Sequence, residues 1–384
     1  MTRIQPLSFD LISIVWGESY VKVFLELIIP SYLSQNNIPF SSKKYPIVSN
    51  IYTTVNDAKT IASHAHFKKM NEFINCEIIP NIDNSLLNST NKYGAKGYCQ
   101  SLAIKKAIKN RSVVLLLNPD SLISDGSLLK CCNLIEDGKK AVIVSELARI
   151  ETESILPKLK PYFDRQSLSL TLPSRQLVEL GIKHLHEIGK HFFWHGEHFT
   201  NWPSIVYWRA GEKSILAKYF HLHPLAIDLR ETNVNLPEIL MPDDGGLIEF
   251  LGLPPDLIHT NTDSNEIVSV ELSSKNMDPL GVHRLPSKMK QTSLLKFSLK
   301  CALPSHMDNF LKFNLRFQAD EEVDWNETEK NVSKDLKSIR PILHVIRWMN
   351  SVMDMFYKQF RFLAIKLGAR YVKRKIMSYC DRKS

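Results

Sequence analysis

Short apolar runs alternate with helical patterns along the first part of this chain. Asp10 to Trp16, Ile47 to Val55, Cys76 to Pro80, Ser112 to Leu117 and Lys140 to Ser145 each read as a strand. Ser112 to Leu117 is almost unbroken, rich in branched side chains and too short for a core helix, the pattern of a strand buried on both faces. Between these runs, Gly94 to Asn110 and Leu128 to Asp137 carry helical spacing, and so does the segment from Glu18, with Tyr20, Phe24, Leu27 and Ile28 on one face. Parallel neighbours need crossover connections, so strands alternating with helices over about 145 residues predict an α/β fold with a doubly wound, mostly parallel sheet.

In such sheets ligands bind outside the carboxyl ends of the strands. Polar residues stand at those ends: Trp16-Gly17 after the first run, Thr53 and Asp57 at the second, and Asn118-Pro119-Asp120-Ser121 followed by Asp125-Gly126 after the central one. Asp120 and Asp125 are candidates for gripping a divalent cation or a sugar hydroxyl. They also suit a turn and a helix cap, respectively. Asp57 reads either as a cap or as an acceptor for a nucleobase or ribose. Lys96, shortly before the central strand, reads as an ordinary exposed lysine or a contact for a diphosphate.

The second half is less regular. Leu177, Leu180, Ile182 and Leu185 mark a helix from Ser174, and seven of the thirteen histidines then fall between His184 and His223. His191 and His195 have the spacing of a helical metal pair, but HFFWHGEHF lacks the Glu that a zinc protease needs and places Gly196 badly for a helix. His221 and His223 alternate onto one side of an extended segment stopped by Pro224, which aims both rings into one cleft. Two strand-like runs flank Gly211-Glu212 as a hairpin; Trp194, Trp202 and Trp208 nearby either stack on a sugar or fill core. Asp243 and Asp244 precede Gly245-Gly246, which suits a mobile loop carrying a general base, or equally a solvated turn. Asp263 and Glu266 precede an alternating run expected to close the globular part, and Ser287 to Asn331 reads as an extension of uncertain order.

Composition narrows the class. The 384 residues are 44% apolar and 23% charged, ordinary for a globular protein with a sizeable core. Asp10 interrupts the most apolar part of the N-terminal segment, no small-residue cleavage site follows, and no run of about eighteen apolar residues occurs; neither a secretory signal nor a membrane span is expected. The six cysteines include no Cys-x-x-Cys pair, so a reducing compartment is the simplest expectation. Neither a Gly-x-Gly-x-x-Gly fingerprint, a phosphate-cradling Gly-x-x-x-x-Gly-Lys-Ser/Thr loop nor a Gly-x-Ser-x-Gly elbow is present, which disfavours a dinucleotide fold, that class of nucleotide hydrolase and a serine hydrolase.

The net charge of +9 has a local origin: residues 331–384 hold thirteen Lys or Arg against three Asp, leaving the first 330 residues near −1. From Pro341 the pattern Ile342, Val345, Ile346, Met349, Val352, Met353, Phe356, Phe360, Leu363, Leu367 keeps a 3.6-residue period, and Arg361, Lys366, Arg370, Lys373, Arg374 and Lys375 load its distal part. This amphipathic, basic stretch fits an anionic membrane surface through 341–384, or docking on its own domain or a partner. No nucleic-acid motif accompanies the charge, and nucleic acid is not an expected partner.

The strand ending at Trp16-Gly17, the Tyr-Thr-Thr strand end before Asp57, and NPDSLISDG resemble the nucleotide-sugar half of glycosyltransferases with the GT-A fold. With VWGESYVKVFLELIIPSYLSQNNIP and FHLHPLAI, residues 8 to 270 are similar to bacterial glycosyltransferase-like proteins encoded with surface-polysaccharide genes. The resemblance implies a nucleotide pocket lined by Trp16, Thr53 and Asp57. It places Asp120 at the Asp-x-Asp position holding Mg²⁺ or Mn²⁺, with Asp125 nearby and His221 or His223 completing the shell, and makes Asp243 or Asp244 the base. This chain has Asn-Pro-Asp-Ser, not Asp-x-Asp. The expectation is a GT-A-like domain at 1–275, an extension at 276–335 and a basic helical tail at 336–384, cytoplasmic and peripheral to the inner membrane face. The expected partners are a nucleotide-sugar donor and a glycan or lipid-linked acceptor. A non-catalytic carbohydrate-binding or scaffold member of the fold, and a metal-dependent hydrolase built on the histidines, are the alternatives.

Overall fold

The computed structural model describes residues 7–89, 92–144, 146–234, 236–239, 242, 246–277 and 281–366. Its central sheet has seven strands: β1 (Phe9–Ile14), β2 (Ile47–Tyr52), β3 (Asn75–Ile79), β4 (Val113–Leu116), β5 (Ala141–Val144), β6 (His223–Asp228) and β7 (Ile258–Thr260). Their order is β3-β2-β1-β4-β6-β5-β7. All neighbours are parallel except β6, which runs antiparallel to both β4 and β5. This is the mostly parallel α/β sheet expected from the pattern, with one strand inserted against the grain.

The five N-terminal strands fall close to the predicted runs because each is a short apolar stretch with helix on either side. β1 and β4 are buried along their whole length, as strands covered on both faces must be. Val55 is not the end of β2, however. It opens the helix Val55–Ser63, whose first turn is capped when Thr54 Oγ1 accepts the N–H of Asp57 at 3.1 Å.

Pro224 was expected to stop its extended segment, but it lies inside β6. The pairing of β6 with β5 shifts register between Pro224 and Ala226, and such an irregularity accommodates a residue with no N–H to donate.

Two smaller sheets adjoin the main one. Ser269–Ser273 lies between Ser121–Ile123, antiparallel, and Glu146–Glu151, parallel. The predicted hairpin forms as Ile205–Arg209 against Ile215–Tyr219, and Leu315–Phe317 joins it as a third strand.

That third strand belongs to a region expected to lack firm order. Instead, helices Lys290–Lys300, Pro304–Lys312 and Trp325–Leu336 pack on the hairpin around their own core. Trp194 stacks on Trp208 with centroids 5.7 Å apart, and Phe220 stacks on Phe310 at 4.3 Å. Fully buried aromatics of this size dominate the apolar area removed from water. The helix Arg340–Lys366 continues from this unit and lays Leu343 and Ile346 into the same core. Among the described residues no helix is long and apolar enough to cross a membrane.

Candidate functional site

The sheet brings the polar strand ends together. β2, β1, β4 and β5 all terminate at one edge, so Thr53, Trp16, Asn118 and Glu146 follow one another along it. Because β6 runs the other way, its first residue arrives where its neighbours leave: His223 pairs with Val144 and Ala226 with Leu115. The inserted strand thus delivers a histidine to the carboxyl edge.

At the β1 and β2 ends, the carboxylate of Asp57 accepts the backbone N–H of Gly17 at 3.0 Å and the hydroxyl of Thr54 at 2.8 Å. Gly17 has φ +84°, a conformation that a side chain would strain. Trp16 is half-buried and packs on the core cluster beneath β4. Thr53 is fully buried, and its Oγ1 has no hydrogen-bond partner among the described residues.

At the end of β4 the half-buried Lys96 donates to Asn118 Oδ1 at 3.2 Å. Asp120 comes next, its backbone carbonyl accepting the N–H of Leu272 at 2.9 Å. Burial, together with the negative charges of Glu271 and Glu146, pushes the Asp120 carboxyl up to about 7, and the positive charge of Lys96 offsets this only in part. Burial, with the negative charges of Glu146 and Asp120, raises the phenol of the buried Tyr32. Glu271 is held by Arg149, whose Nη1 lies 3.1 Å away.

Glu146, Glu271, His221 and His223 line a small cavity of about 130 Å³ with Ser204 and Tyr219, room for about four waters. His221 and His223 therefore share one cleft. Their roles differ: His223 Nε2 lies 3.2 Å from the carbonyl of Leu116, while His221 is packed against His306 at 4.1 Å between ring centroids. Burial, with His306 adjacent, drives the His221 imidazole down to about 3, so it is neutral at ordinary pH.

Asp125 does not cap the helix that follows it. Its carboxylate accepts the hydroxyl of Ser34, the N–H of Asn36 at 2.9 Å and the side-chain amide of Asn36 at 2.6 Å. The following helix, Ser127–Glu136, starts from Gly126 without a side-chain cap. Asp125 anchors the loop around residues 34–36. Asp243 and Asp244 lie outside the described residues.

The other histidines disperse. His184 bonds Ser154, His186 bonds the carbonyl of Lys275, and His195 pairs with Asp335 at 2.7 Å. Among the described residues no three His, Cys, Asp or Glu side chains could hold one metal ion, so the histidine-rich region builds no zinc centre there. Trp194 and Trp208 fill core, and Trp202 is partly exposed with its ring edge-on to Phe297. A larger cleft of about 870 Å³ opens between the hairpin and Trp325–Leu336. None of the strand-end residues lines it.

Glu146, Glu271, Arg149 and Tyr32 were not anticipated. Glu146 was findable, since it stands just past the predicted strand end at Ser145. Glu271 carried no local signal, because it reaches the cluster from a strand paired across the small sheet.

The strand order, the single reversed strand and the polar carboxyl edge define an α/β protein with a mostly parallel sheet and a candidate ligand edge. No protein-family model matches the chain, and no curated sequence matches it. Among solved structures it is similar to S. aureus TarS 1–349, at 13% identity and a TM-score of 0.35 over 90% of this chain and 88% of that one. It is also similar to a longer S. aureus TarS chain, at 16% identity and a TM-score of 0.27 over 37% of this chain, and spans 22% of that chain's length. Mouse xyloside xylosyltransferase 1 in its apo form is similar at 11% identity and a TM-score of 0.26, over 41% of this chain and 58% of that one.

Proposed function

We propose that this chain is a glycosyltransferase that takes a sugar from a nucleotide-diphosphate donor and passes it to a hydroxyl of a glycan or lipid-linked acceptor, in surface polysaccharide or glycoconjugate synthesis. The observation that carries this reading is Asp120 at the carboxyl edge, crowded by Glu146 and Glu271 and flanked by the Lys96–Asn118 pair. Carboxylates forced together repel one another until a cation or a proton joins them.

The residues present suit Mg²⁺ or Mn²⁺ of the kind that a diphosphate brings. Such ions need only one or two protein carboxylates, since phosphate oxygens and water complete the shell. Asp120 would hold the ion, and His223 would be a further ligand. When bound, the ion stabilises the charge that develops on the departing diphosphate. Lys96 adds a second positive charge to the same edge. Trp16, Thr53 and Asp57 would form the nucleotide side. Asp243 or Asp244 takes the proton from the attacking hydroxyl.

Thermal-shift measurements with uridine, guanosine, cytidine and thymidine diphosphates, with and without Mn²⁺, test the reading. The expected result is stabilisation by at least one nucleotide that requires the cation and disappears in Asp120→Asn. Silence with every nucleotide, or a shift that survives that substitution, would overturn it.

A further inference from the structure

The helix Arg340–Lys366 has two apolar faces, and the fold uses one. At 1.5 Å per residue its 27 residues span about 40 Å. Leu343 and Ile346 are buried in the C-terminal core. Beyond them on the same side, Arg347 makes a two-pronged contact with Asp308 at 2.7 and 2.9 Å, and Asn350 donates to the carbonyls of Ser298 and Ala302. At 100° per residue, these four occupy a single arc. The adjoining solvent-facing arc holds Ile342, Val345, Trp348, Met349, Met353 and Phe356, between 43% and 64% exposed. A contiguous exposed apolar face of this kind marks a surface that meets another body.

The neighbouring sequence says which. Residues 357–384 contain nine Lys or Arg and one Asp, and Asp354 is the sole acidic residue from 340 to 366. A second copy of the chain would bring the same positive charge to the contact, whereas an anionic bilayer brings the opposite sign. Trp and Phe favour the boundary between headgroups and acyl chains, and Met adapts to an irregular apolar surface. The helix is docked to its own domain along one side, so it lies along a surface and does not span it.

We propose that the Ile342–Phe356 face seats this protein on an anionic lipid bilayer, with the adjoining basic segment supplying electrostatic attraction. The proposal is independent of the transfer reaction, and its test reads binding alone. Full-length protein is sedimented with vesicles of phosphatidylcholine, with or without phosphatidylglycerol. Association with the anionic vesicles is expected, and it should fall by about tenfold or more with neutral lipid or in high salt. The triple substitution Trp348→Ser, Met353→Ser, Phe356→Ser should reduce it as much while leaving thermal unfolding unchanged, since all three side chains are exposed. The single Phe356→Ser variant provides the same test should the triple variant misfold. Failure of the unaltered protein to bind anionic vesicles, or undiminished binding by the variants, would overturn the proposal. So would a dimer in light scattering that the triple variant abolishes without any vesicle binding, which would assign the face to a second copy.

Discussion

Asp57 accepts the backbone N–H of Gly17 at 3.0 Å across forty residues of sequence, fastening the turn after β1 to the turn after β2. The same carboxylate oxygen takes the Thr54 hydroxyl at 2.8 Å. One side chain therefore shapes the edge on which a nucleotide would rest. Asp57→Ala should lower unfolding free energy by about 1–2 kcal/mol in urea titrations. It should also weaken nucleoside diphosphate binding by more than Thr54→Ala does, because only the former frees Gly17. Equal binding losses in the two variants would remove the Gly17 contact from the account.

Asp125 and Asp120 sit five residues apart and should respond differently to substitution. Asp125 holds Ser34 and Asn36 through three hydrogen bonds, so Asp125→Ala should cost about 2–3 kcal/mol of stability without changing how Mn²⁺ affects nucleotide binding. Calorimetric titration of nucleotide with and without Mn²⁺ in the two variants checks this. A cation response that vanishes with Asp125 but persists without Asp120 would reverse their roles.

How far these positions could be read in advance depended on how local their causes are. β1, β2, β4 and β5 were legible because a buried parallel strand is a short apolar run, and so was the meeting of Thr53, Asp57 and Asp120 at one edge of the sheet, since each follows such a run. β6 was not, since Pro224 reads as a stop and only a register shift admits it. The C-terminal unit was missed for another reason. Leu294, Phe297, Met307 and Phe310 are widely spaced and look unsupported until Trp194, Trp208 and Phe220, distant in sequence, close over them. The docked face of the Arg340–Lys366 helix belongs to the same class of non-local burial. Asp125 looked like a cap because its true partners, Ser34 and Asn36, lie on a loop nothing nearby announces.

Asp120 should leave a signature in the pH dependence of stability. Its carboxyl titrates near 7 in the folded protein and near 4 when unfolded. Between these values the folded state binds the extra proton, so stability conferred at low pH is lost as pH rises toward 7. Asp120→Asn removes that dependence and should stabilise the unliganded protein above pH 7 by about 2–4 kcal/mol, with little effect near pH 4. Urea midpoints at the two pH values decide it. No difference between variant and parent would mean that the carboxyl is not crowded in solution.

Lys218 provides a second titration far from the proposed chemistry. It is 3% exposed, donates to the carbonyls of Phe310 and Phe313 at 3.0 and 3.2 Å, and is brought down to about 8 chiefly by burial, with the charge of Arg340 adding to the effect. An unfolded lysine titrates near 10.4. From about pH 8 to 10 the unfolded chain therefore holds the extra proton, and this group makes the protein more stable as pH rises. Lys218→Met should remove that increment, about 1–3 kcal/mol, and also leave two carbonyls without a donor, lowering stability at every pH. The difference in urea midpoint between parent and variant should accordingly widen from pH 7.5 to pH 10. A constant difference would show that the ammonium is not strained by its burial, and that the two carbonyls alone account for its place in the core.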